Sequence, residues 1–395
     1  MAVNGNYSGV YEASTSDPNA FWLEAAKSVD WIKAPTKALD DRTAPVYRWF
    51  PDAELNTCFN AVDRHVLAGR GEDTAVIYDS AMTGTKREIS YNTLLDKVSR
   101  FASVLAKYGV TKGDRVLIYM PMIPEAIYAM LACARLGAVH SVVFGGFAAN
   151  ELAVRIDDAK PIVIVTATGG LEPGRQVEYL PIIEKALNLT HGSVKTVIVK
   201  RREIIPGDVA DYDGKGNAKW VAWEPEIEAA SQHPVVPVAA QDPLYILYTS
   251  GTTGNPKGII RDNGGHAVAM AWSMKNIYNI SPGEVMWAAS DVGWVVGHSY
   301  IVYAPLIAGA TTVIYEGKPI GTPDAGAFWR VAAEHKVKVL FTAPTAIRAI
   351  RRMDPELEEL KKYDISCLET LFLAGERLDS ETYHWANDGL HCPVV

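Results

Sequence analysis

Short apolar runs alternate with amphipathic helical patterns along most of the chain, and this alternation constrains the fold more than any other feature. Leu94, Val98 and Phe101 recur at helical spacing before Gly109, as expected for an amphipathic helix that ends at a glycine. The apolar run 115–120 follows and predicts a buried strand. Strands and helices that alternate in this way form right-handed βαβ units around a mostly parallel sheet. We therefore predict an α/β fold.

The same alternation continues to the end of the sequence. Beyond the helix before Gly109, the predicted helices are 124–136, 150–158, 179–189, 266–278, 299–307, 324–335 and 345–353. The predicted strands are 115–120, 141–144, 162–166, 196–199, 244–248, 285–289, 311–315, 337–342 and 368–373.

This pattern divides the chain into three parts. Residues 1–75 are rich in tryptophan, proline and polar side chains, and we expect an irregular N-terminal arm with short helices that packs its aromatic rings onto a core. Residues 76–240 and 241–395 are each expected to form an αβ subdomain built on a parallel sheet. The segment 201–238 breaks the rhythm, so we expect a connector there, with a hairpin near 213–216.

Composition excludes several classes of protein. The chain has 395 residues, 48% of them hydrophobic and 21% charged, which are values of a folded globular protein. Its net charge of −8 argues against nucleic acid as a partner, because phosphate backbones are bound by basic surfaces. No apolar run is long enough for a membrane span, and the first thirty residues lack the pattern of a secretory or transit signal. Four widely spaced cysteines fit a reducing compartment, so we expect a cytoplasmic location.

The segment 248–258 carries the strongest chemical signal. It reads Tyr-Thr-Ser-Gly-Thr-Thr-Gly-Asn-Pro-Lys-Gly and follows a predicted strand. Glycines let a backbone turn sharply around an anion, and hydroxyls can donate hydrogen bonds to phosphate oxygens. One lysine 4 Å from an anionic oxygen contributes about 4 kcal/mol at an effective dielectric of 20. We therefore predict a polyphosphate-binding loop in this segment.

Two other interpretations of this loop are weaker. A Walker A loop needs Gly before the lysine and Ser or Thr after it, whereas Pro256 and Gly258 stand there. A flexible linker is the other alternative, but a linker has no need for the sequence Pro-Lys-Gly after a run of hydroxyls at the end of a strand.

This loop resembles the signature loop of the adenylate-forming superfamily, which includes acyl-CoA synthetases, luciferases and the adenylation domains of peptide synthetases. Other segments resemble the short-chain branch of that superfamily, the acetyl- and propionyl-CoA synthetases, and the propionyl branch most. They are the acid-pocket segment 290–300, the adenine-side segment 374–377, the CoA-side segments 143–147 and 174–175, and the segment 315–324. The resemblance extends from about residue 21 to the end.

The resemblance implies an AMP-forming ligase that activates a short-chain carboxylic acid with ATP and transfers the acyl group to CoA, with Mg²⁺ bound to the phosphates. It makes Thr249 and Lys257 the catalytic residues, and no residues have the spacing of a dedicated metal site. The implied ATP-binding residues are Thr249, Ser250, Gly251, Thr252, Thr253, Gly254, Lys257, Gly375, Glu376 and Arg377; the acid pocket is Trp294, Val295, Val296 and Ala374; and the CoA-binding residues are Glu172, Pro173, Gly174, Arg175, Val296 and Ile320.

The acid pocket implies a preference among short acids. Acetate-specific relatives carry Val at the position of Ala374 and Thr at the position of Val296. Alanine is smaller than valine, so the pocket has room for at least one more methylene, which discriminates by about 1–3 kcal/mol. We expect propionate to be favoured, with acetate and butyrate still used; an acetate-preferring enzyme is the alternative.

Some residues in these segments also have simpler interpretations. Taken alone, Glu376 and Arg377 favour a surface ion pair, and His298 is expected to be structural because the attacking carboxylate is already ionised at pH 7. A non-catalytic nucleotide-binding relative and an adenylation module that serves a carrier protein are further alternatives.

The sequence stops in the apolar run 392–395, where a strand is expected to begin. We therefore expect a fragment that lacks the C-terminal domain of this superfamily and is inactive alone.

Overall fold

The computed structural model describes residues 7–249 and 256–395. The strands, numbered in chain order, are β1 (Leu39–Asp40), β2 (Arg48–Trp49), β3 (Glu54–Leu55), β4 (Thr74–Ser80), β5 (Thr85–Ser90), β6 (Arg115–Tyr119), β7 (Val139–Val142), β8 (Val163–Ala167), β9 (Gly169–Glu172), β10 (Arg175–Glu178), β11 (Thr196–Lys200), β12 (Lys219–Ala222), β13 (Val238–Ala239), β14 (Pro243–Thr249), β15 (Lys257–Asp262), β16 (Val285–Ala288), β17 (Thr311–Glu316), β18 (Val337–Thr342) and β19 (Thr370–Leu373).

The helices surround and separate these strands. They are α1 (Tyr7–Ser16), α2 (Pro18–Ala26), α3 (Tyr91–Lys107), α4 (Pro124–Leu136), α5 (Ala149–Ala159), α6 (Leu180–Asn188), α7 (Trp223–Ala229), α8 (Gly264–Asn276), α9 (Val295–Gly297), α10 (Ala304–Ile307), α11 (Ala327–Glu334), α12 (Pro344–Met353) and α13 (Ser380–Leu390). Segments of π-helix cover Phe59–Asp63, Val66–Arg70 and His298–Tyr303, and 3₁₀ turns cover Val209–Tyr212, Lys215–Asn217 and Leu360–Lys362.

Two mostly parallel sheets organise the described residues. The first sheet has the strand order β12-β11-β8-β6-β7-β14-β15, and the second sheet has the order β19-β18-β16-β17-β4-β5. In each sheet the strands pair in parallel except for the last hairpin, β14–β15 or β4–β5, which is antiparallel. The expected α/β fold with mostly parallel sheets is therefore confirmed.

The cores follow from the alternation of side chains along the strands. Val116 and Ile118 of β6 point into a central core, which also takes Ile314 of β17, whereas Leu117 of β6 points into an outer core with α5 and α6. Val313 of β17 points into a third core with α11 and α12. Because successive strand residues face opposite sides, the central core lies between the two sheets and each sheet carries helices on its far face.

Helix α4 shows why the local predictions succeed. Pro124 occupies its first turn, where no N–H is needed, and Gly137 ends it in the left-handed conformation (φ 69°). Every residue of α4 is buried, as expected for a helix in the central core. Both ends of this helix match the prediction.

Several elements differ from the expectations. Strand β7 ends at Val142 instead of residue 144, because Phe144 and the two glycines after it leave the sheet. The connector contains β12 and α7, and 3₁₀ turns stand where a hairpin was expected near 213–216. The polar hairpin β9–β10 and the strands β5 and β15 were not predicted, since their sequences lack a long apolar run. Strand β4 was also not predicted, although its sequence contains the apolar run 75–78.

Strand pairing also does not follow the expected boundaries at residues 75 and 240. The early hairpin β4–β5 lies in the second sheet, and the later hairpin β14–β15 lies in the first. Pairing of this kind depends on which edges fit each other in the folded molecule, which a local pattern does not contain. The division of the chain into units at those boundaries stays a prediction.

The N-terminal residues pack aromatic rings against α8. The ring centroids of Trp22 and Trp272 lie 5.9 Å apart, and those of Trp22 and Trp49 lie 5.8 Å apart. Within the described ranges, no helix has the length and apolarity needed to cross a bilayer.

Candidate functional site

The residues on either side of the predicted phosphate loop form the base of a hairpin. Thr249 ends β14 and Lys257 begins β15, and the two are directly paired across the strands. Both side chains are exposed, and Lys257 forms no ion pair with any residue that the structure describes. The loop residues Ser250, Gly251, Thr252, Thr253 and Gly254 lie outside the described residues. The ammonium group of Lys257 therefore faces solvent at the point where the loop begins and ends.

This hairpin is anchored on helix α5. The hydroxyl of Tyr248 donates a hydrogen bond of 2.5 Å to Oδ2 of Asp158, and the guanidinium of Arg155 lies 5.5 Å from the centre of the Tyr248 ring. Burial and the nearby Asp158 carboxylate raise the pKa of Tyr248, so the phenol stays protonated. The strand that leads into the loop is thus held in place from its buried side.

A cleft opens where parallel strands of both sheets end. In the first sheet, Met120 follows β6, the glycine pair Gly145–Gly146 follows β7, and the hairpin β9–β10 follows β8. In the second sheet, Asp291 follows β16 and Lys318 follows β17. These residues line one cavity of about 110 Å³, which we call the strand-end cleft. Ligands of open α/β sheets bind at the carboxyl ends of the strands, so this is the place where the fold predicts a substrate.

Position 145 leaves no space for a side chain, so glycine fits there best. A Cβ atom there would collide with the hydroxyl of Tyr179, and the same hydroxyl would block a Cβ at Gly170. Both glycines therefore leave room for the side chain of Tyr179 at the wall of the cleft.

The hairpin β9–β10 carries most of the predicted CoA-binding residues. Pro173 and Gly174 form its turn, and Gly174 has a φ of 75°, which suits the second central position of a turn of type II. Pro173 and Gly174 line a neighbouring surface cavity of about 490 Å³ together with Lys86 and Arg330. Arg175 is exposed at the strand-end cleft and forms no ion pair within the described part of the chain.

Glu172 is neutralised by Lys318, a residue to which the sequence analysis gave no role. The Nζ atom of Lys318 lies 3.0 Å from Oε2 of Glu172. The ammonium group of Lys318 thus supplies positive charge next to the position of Glu172. Ile320 is another predicted CoA-binding residue, and it packs against the third core, which lies on the far face of the second sheet.

Asp291 is a second residue of the cleft that the sequence analysis did not single out. Its Oδ1 accepts a hydrogen bond of 2.7 Å from the backbone N–H of Gly293. Burial raises the pKa of Asp291 to about 6, although that N–H and the charge of Lys318 oppose the rise. Perturbed carboxyls in clefts are frequent at functional sites. Asp291 could have been predicted from the sequence, because it is a carboxylate that comes shortly after the predicted strand β16.

A buried ion pair lies beneath the cleft and joins the two sheets. Nη1 and Nη2 of Arg202 lie 2.6 and 2.9 Å from the two carboxylate oxygens of Glu316. The hydroxyls of Tyr78 and Ser80 donate further bonds of 2.7 and 2.8 Å to Oε2 of Glu316. Arg202 follows β11 of the first sheet, and Glu316 ends β17 of the second. This network fixes the segment that leads to Lys318.

The predicted adenine-side residues follow the edge strand β19. Gly375 has a φ of 101°, which only glycine adopts easily. The carboxylate of Glu376 accepts hydrogen bonds from the backbone N–H of Thr345, at 2.8 Å, and from its hydroxyl, and Oε2 lies 2.6 Å from Nη2 of Arg348. These contacts lower the pKa of Glu376, the hydroxyl of Thr345 most. The carbonyl of Arg377 accepts a bond of 3.3 Å from Arg348.

The phosphate loop and the adenine-side residues are not in contact in the described part of the chain. Thr249 and Lys257 lie at the edge of the first sheet, and Gly375–Arg377 follow an edge strand of the second. No hydrogen bond or ion pair between described residues joins the two groups.

The predicted acid-pocket residues lie on two surface segments. Trp294 and Val295 are 46% and 45% exposed, Val296 packs against the central core, and Ala374 is exposed. The ring of Trp294 lies 5.9 Å from that of Phe144, next to the strand-end cleft. The roles of these four residues stay predictions.

His298 supports this segment from below. It is fully buried, and its Nδ1 lies 3.0 Å from the carbonyl oxygen of Trp294. Burial lowers the pKa of His298 to about 4, and the carbonyl of Trp294 only partly opposes this. A neutral imidazole in this position fits the structural role that we expected.

One group of side chains in the described part of the chain has the geometry of a metal site. It consists of Asp79, Glu334 and His335. Arg330, however, donates bonds of 2.8 Å to both oxygens of Asp79 and to Glu334, and Lys86 also binds Glu334. Because two cations already occupy these carboxylates, the group is an ion-pair network.

The model of the family described as AMP-binding enzyme matches residues 63–395, and that of the acetyl-coenzyme A synthetase N-terminus matches residues 7–61. The chain belongs to the AMP-binding enzyme family. Similar members of this family include acyl-CoA synthetase short-chain family member 3, mitochondrial, from Bos taurus, at 52% identity over 99% of this chain and 56% of that protein. Propionate–CoA ligase from Escherichia coli is 43% identical over 99% of this chain and 61% of that protein.

The fold of one solved structure agrees with this one. Acetoacetyl-CoA synthetase from Streptomyces lividans superposes with a TM-score of 0.88 at 24% identity, over 99% of this chain and 59% of that one. The chain thus spans between one half and two thirds of the length of these relatives. The expected cytoplasmic location stays a prediction, since the bovine relative is named as mitochondrial.

Proposed function

We propose that the protein containing this chain is an AMP-forming ligase that joins a short-chain carboxylic acid to CoA. The observation that carries this proposal is the strand-end cleft, which gathers Gly145, the hairpin residues Glu172 and Arg175, and Lys318 from three separate segments at one crevice. Gly145 and Arg175 lie in the segments that resemble the CoA side of short-chain acyl-CoA synthetases, and Lys318 lies in the segment that resembles the propionyl branch. The names of the relatives support the same class of reaction.

In the first step, a carboxylate oxygen of the acid attacks the α-phosphorus of ATP, and the bond from that phosphorus to the bridging oxygen of pyrophosphate breaks. The products are an acyl-adenylate and pyrophosphate. Two anions must approach each other, so fixed positive charge and hydrogen-bond donors lower the barrier. We assign this role to Lys257 and Thr249 with the loop residues 250–254, and we assign the nucleotide to Gly375, Glu376 and Arg377.

The exposed ammonium group of Lys257 fits this assignment, because it has no carboxylate partner among the described residues that would have to be displaced. Mg²⁺, when bound, shields the phosphate charges, and this ion commonly takes most of its ligands from phosphate oxygens and water. In the part of the chain that the structure describes, the one side-chain cluster with metal-like geometry is already paired with Arg330 and Lys86. The described residues thus fit an ion held by the nucleotide itself.

In the second step, the sulfur of CoA attacks the acyl carbon, the bond from that carbon to the AMP oxygen breaks, and the thiol proton is lost. We assign CoA to Glu172, Pro173, Gly174, Arg175, Val296 and Ile320. The exposed guanidinium of Arg175, which has no ion pair within the described part of the chain, provides positive charge for a phosphorylated ligand. We propose propionate as the preferred acid, with acetate and butyrate as weaker substrates, because Ala374 takes less space than valine.

The test is formation of acyl-adenylate by the full-length protein, measured as propionate-dependent exchange of labelled pyrophosphate into ATP. Lys257→Ala should lower the exchange rate by about 10²–10³-fold, the usual effect of losing one charge-stabilising donor. Lys275→Ala, which removes another exposed lysine from α8, is the matched control and should leave the rate unchanged. A protein that binds ATP without exchange would instead be a non-catalytic nucleotide-binding relative.

A further inference from the structure

Most of the charged side chains that line the strand-end cleft already have partners. Glu172 pairs with Lys318, and the carboxylate of Glu316 accepts hydrogen bonds from Arg202 and from two hydroxyls. Apart from the exposed Arg175, two polar side chains of the lining keep a free atom in the described part of the chain. One is a tyrosine and the other is an aspartate, and they come from different sheets.

The first free group is the hydroxyl of Tyr179. This side chain is only 4% exposed, and its hydroxyl has no hydrogen-bond partner among the described residues, although it is not enclosed. The hydroxyl lies at the backbones of Gly145 and Gly170, where it would block a Cβ atom. Both glycines line the cleft, so the free hydroxyl faces the cleft. Burial raises the pKa of Tyr179, and the protonated phenol is therefore a hydrogen-bond donor.

Tyr179 is held rigidly in this position. Its ring belongs to the outer core and packs against the ring of Tyr119, with the centroids 4.6 Å apart. Its backbone N–H donates a hydrogen bond of 3.0 Å to the carbonyl of Thr168, and α6 begins at the next residue. A donor that is already fixed loses little freedom when a ligand binds to it.

The second free group is Oδ2 of Asp291. Its other oxygen, Oδ1, accepts the hydrogen bond of 2.7 Å from the N–H of Gly293, which fixes the plane of the carboxylate. Oδ2 has no hydrogen-bond partner among the described residues and is not enclosed either. After burial and Tyr119, the charge of Asp291 contributes to the raised pKa of Tyr179, so the two free groups are neighbours in the cleft.

Asp291 supplies a hydrogen-bond acceptor in its ionised form. Burial raises its pKa to about 6, the N–H of Gly293 and the charge of Lys318 oppose this rise, and the charge of Glu172 adds to it. The carboxyl is therefore mostly ionised at pH 7. Lys318 and Glu172 are paired with each other at 3.0 Å, so neither of them occupies Oδ2.

A donor beside an acceptor matches an amide group, whose oxygen accepts a hydrogen bond and whose N–H donates one. An ionised carboxylic acid has no proton to offer Asp291 and is repelled by its charge. The rest of the lining suits methylene groups on either side of an amide, since it includes Met82, Met120, Met122 and Phe144.

We propose that Tyr179 and Asp291 recognise an amide group of the acyl acceptor. The hydroxyl of Tyr179 donates to the amide oxygen, and Oδ2 of Asp291 accepts a hydrogen bond from the amide N–H. The two residues thereby select an amide-bearing thiol over a simple thiol. This inference rests on the proposed function, because the acceptor in that reaction is CoA, whose thiol is joined to the nucleotide by an arm that contains amide groups.

Two thiols that differ in one group test this inference on the full-length protein. N-acetylcysteamine carries an amide, whereas 5-mercaptopentan-2-one has the same carbonyl but a methylene in place of the N–H. NMR titration should give a dissociation constant about tenfold lower for N-acetylcysteamine, because the ketone cannot donate to the Asp291 carboxylate. A large excess of propionate should not displace N-acetylcysteamine.

Two variants assign the contacts. Tyr179→Phe removes a hydroxyl that has no partner in the described part of the chain, so folding is preserved; it should weaken binding of both thiols about three- to tenfold and leave the amide preferred. In Asp291→Asn, the N–H of Gly293 binds the side-chain oxygen, so the NH₂ group faces the ligand and the preference for the amide should disappear. Tyr47→Phe, which alters a tyrosine that is 53% exposed and lies outside the cleft, is the matched control and should change neither titration.

Propionate-dependent exchange of pyrophosphate into ATP separates this inference from the proposed function, because exchange needs no thiol. Without exchange the proposed function fails, and the titrations still decide whether the cleft recognises an amide. The inference is overturned if neither thiol binds, if the unmodified protein binds both equally, if propionate displaces N-acetylcysteamine, or if Tyr179→Phe binds both thiols as the unmodified protein does. If Asp291→Asn fails to fold, Tyr179→Phe decides alone.

Discussion

Replacing Glu316 by glutamine should destabilise the fold more than any single surface change, because it breaks the buried network between the sheets. Arg202 and Glu316 are 8% and 4% exposed, and the carboxylate accepts two bonds from Arg202 and one each from Tyr78 and Ser80. Glutamine keeps the shape but leaves the guanidinium with an uncompensated charge and offers an NH₂ group where two hydroxyls donate. Losing one partner of a buried pair costs about 3–5 kcal/mol.

The assay is urea unfolding at pH 7, followed by tryptophan fluorescence and circular dichroism. Glu316→Gln should raise the unfolding equilibrium constant by about 10²–10⁴-fold. Arg202→Met should cost a similar amount, and the double variant should cost clearly less than the sum, since no lone charge remains. The matched control is Glu358→Gln, whose partner Lys361 is as close, at 2.6 Å, but exposed; its effect should stay below about 1 kcal/mol.

Equal destabilisation by Glu316→Gln and Glu358→Gln would refute this reasoning. Additivity in the double variant would do so as well, because the two side chains would then act independently of each other.

Three further predictions concern the site. Ala374→Val should shift the ratio of kcat/KM for propionate and acetate towards acetate by about 10-fold or more, in line with one methylene; a higher kcat/KM for acetate in the unmodified enzyme would contradict the proposed preference. Asp291 has a pKa raised to about 6, so the folded state binds its proton more tightly than the unfolded state, and this residue lowers stability as the pH rises from about 4 to 6. Asp291→Asn should remove that part of the pH dependence. Its urea midpoint should exceed that of the unmodified chain by an amount that grows from pH 4 to pH 6 and stays constant above pH 6. An equal difference at pH 4 and pH 7 would contradict the prediction. Gly375→Ala forces alanine to a φ of 101° and should lower the free energy of unfolding by about 1–3 kcal/mol in the same assay. Gly389→Ala lies inside α13, where φ is negative, so any destabilisation by that variant comes from a steric contact with Leu357.

Local patterns predicted the parts of the fold whose cause is local. Helix α4 is bounded by Pro124 and Gly137, and both act on the backbone at their own positions. The parallel strands of the cores are continuous apolar runs, since both of their faces are covered. Strand β15 is different: its first five residues are exposed, and its only apolar side chains are the neighbours Ile259 and Ile260, which form no pattern of a buried strand. It forms because β14 lies beside it.

The site was predicted only in part for a related reason. The segments of Glu172 and Arg175 were found because they resemble a family, and the structure then placed them in one cleft. Lys318 was given no role because it acts on Glu172 across a gap in the sequence, and Asp291 was given none because the burial that raises its pKa appears only in the folded chain. Opposite charges far apart in sequence give no signal of pairing until the fold brings them together.

The pairing of β4 with β17 has a consequence for synthesis on the ribosome. Val76 pairs with Thr312, and nearly all of the first sheet is encoded between them. At about 5–20 residues per second, β4 waits roughly ten to fifty seconds for its neighbour. During that interval an apolar strand, six of whose seven residues end up buried, has only the short β5 beside it. We expect chaperones to protect β4 during this stage of synthesis. The stage ends when the whole of β17, up to Glu316, has emerged from the ribosome.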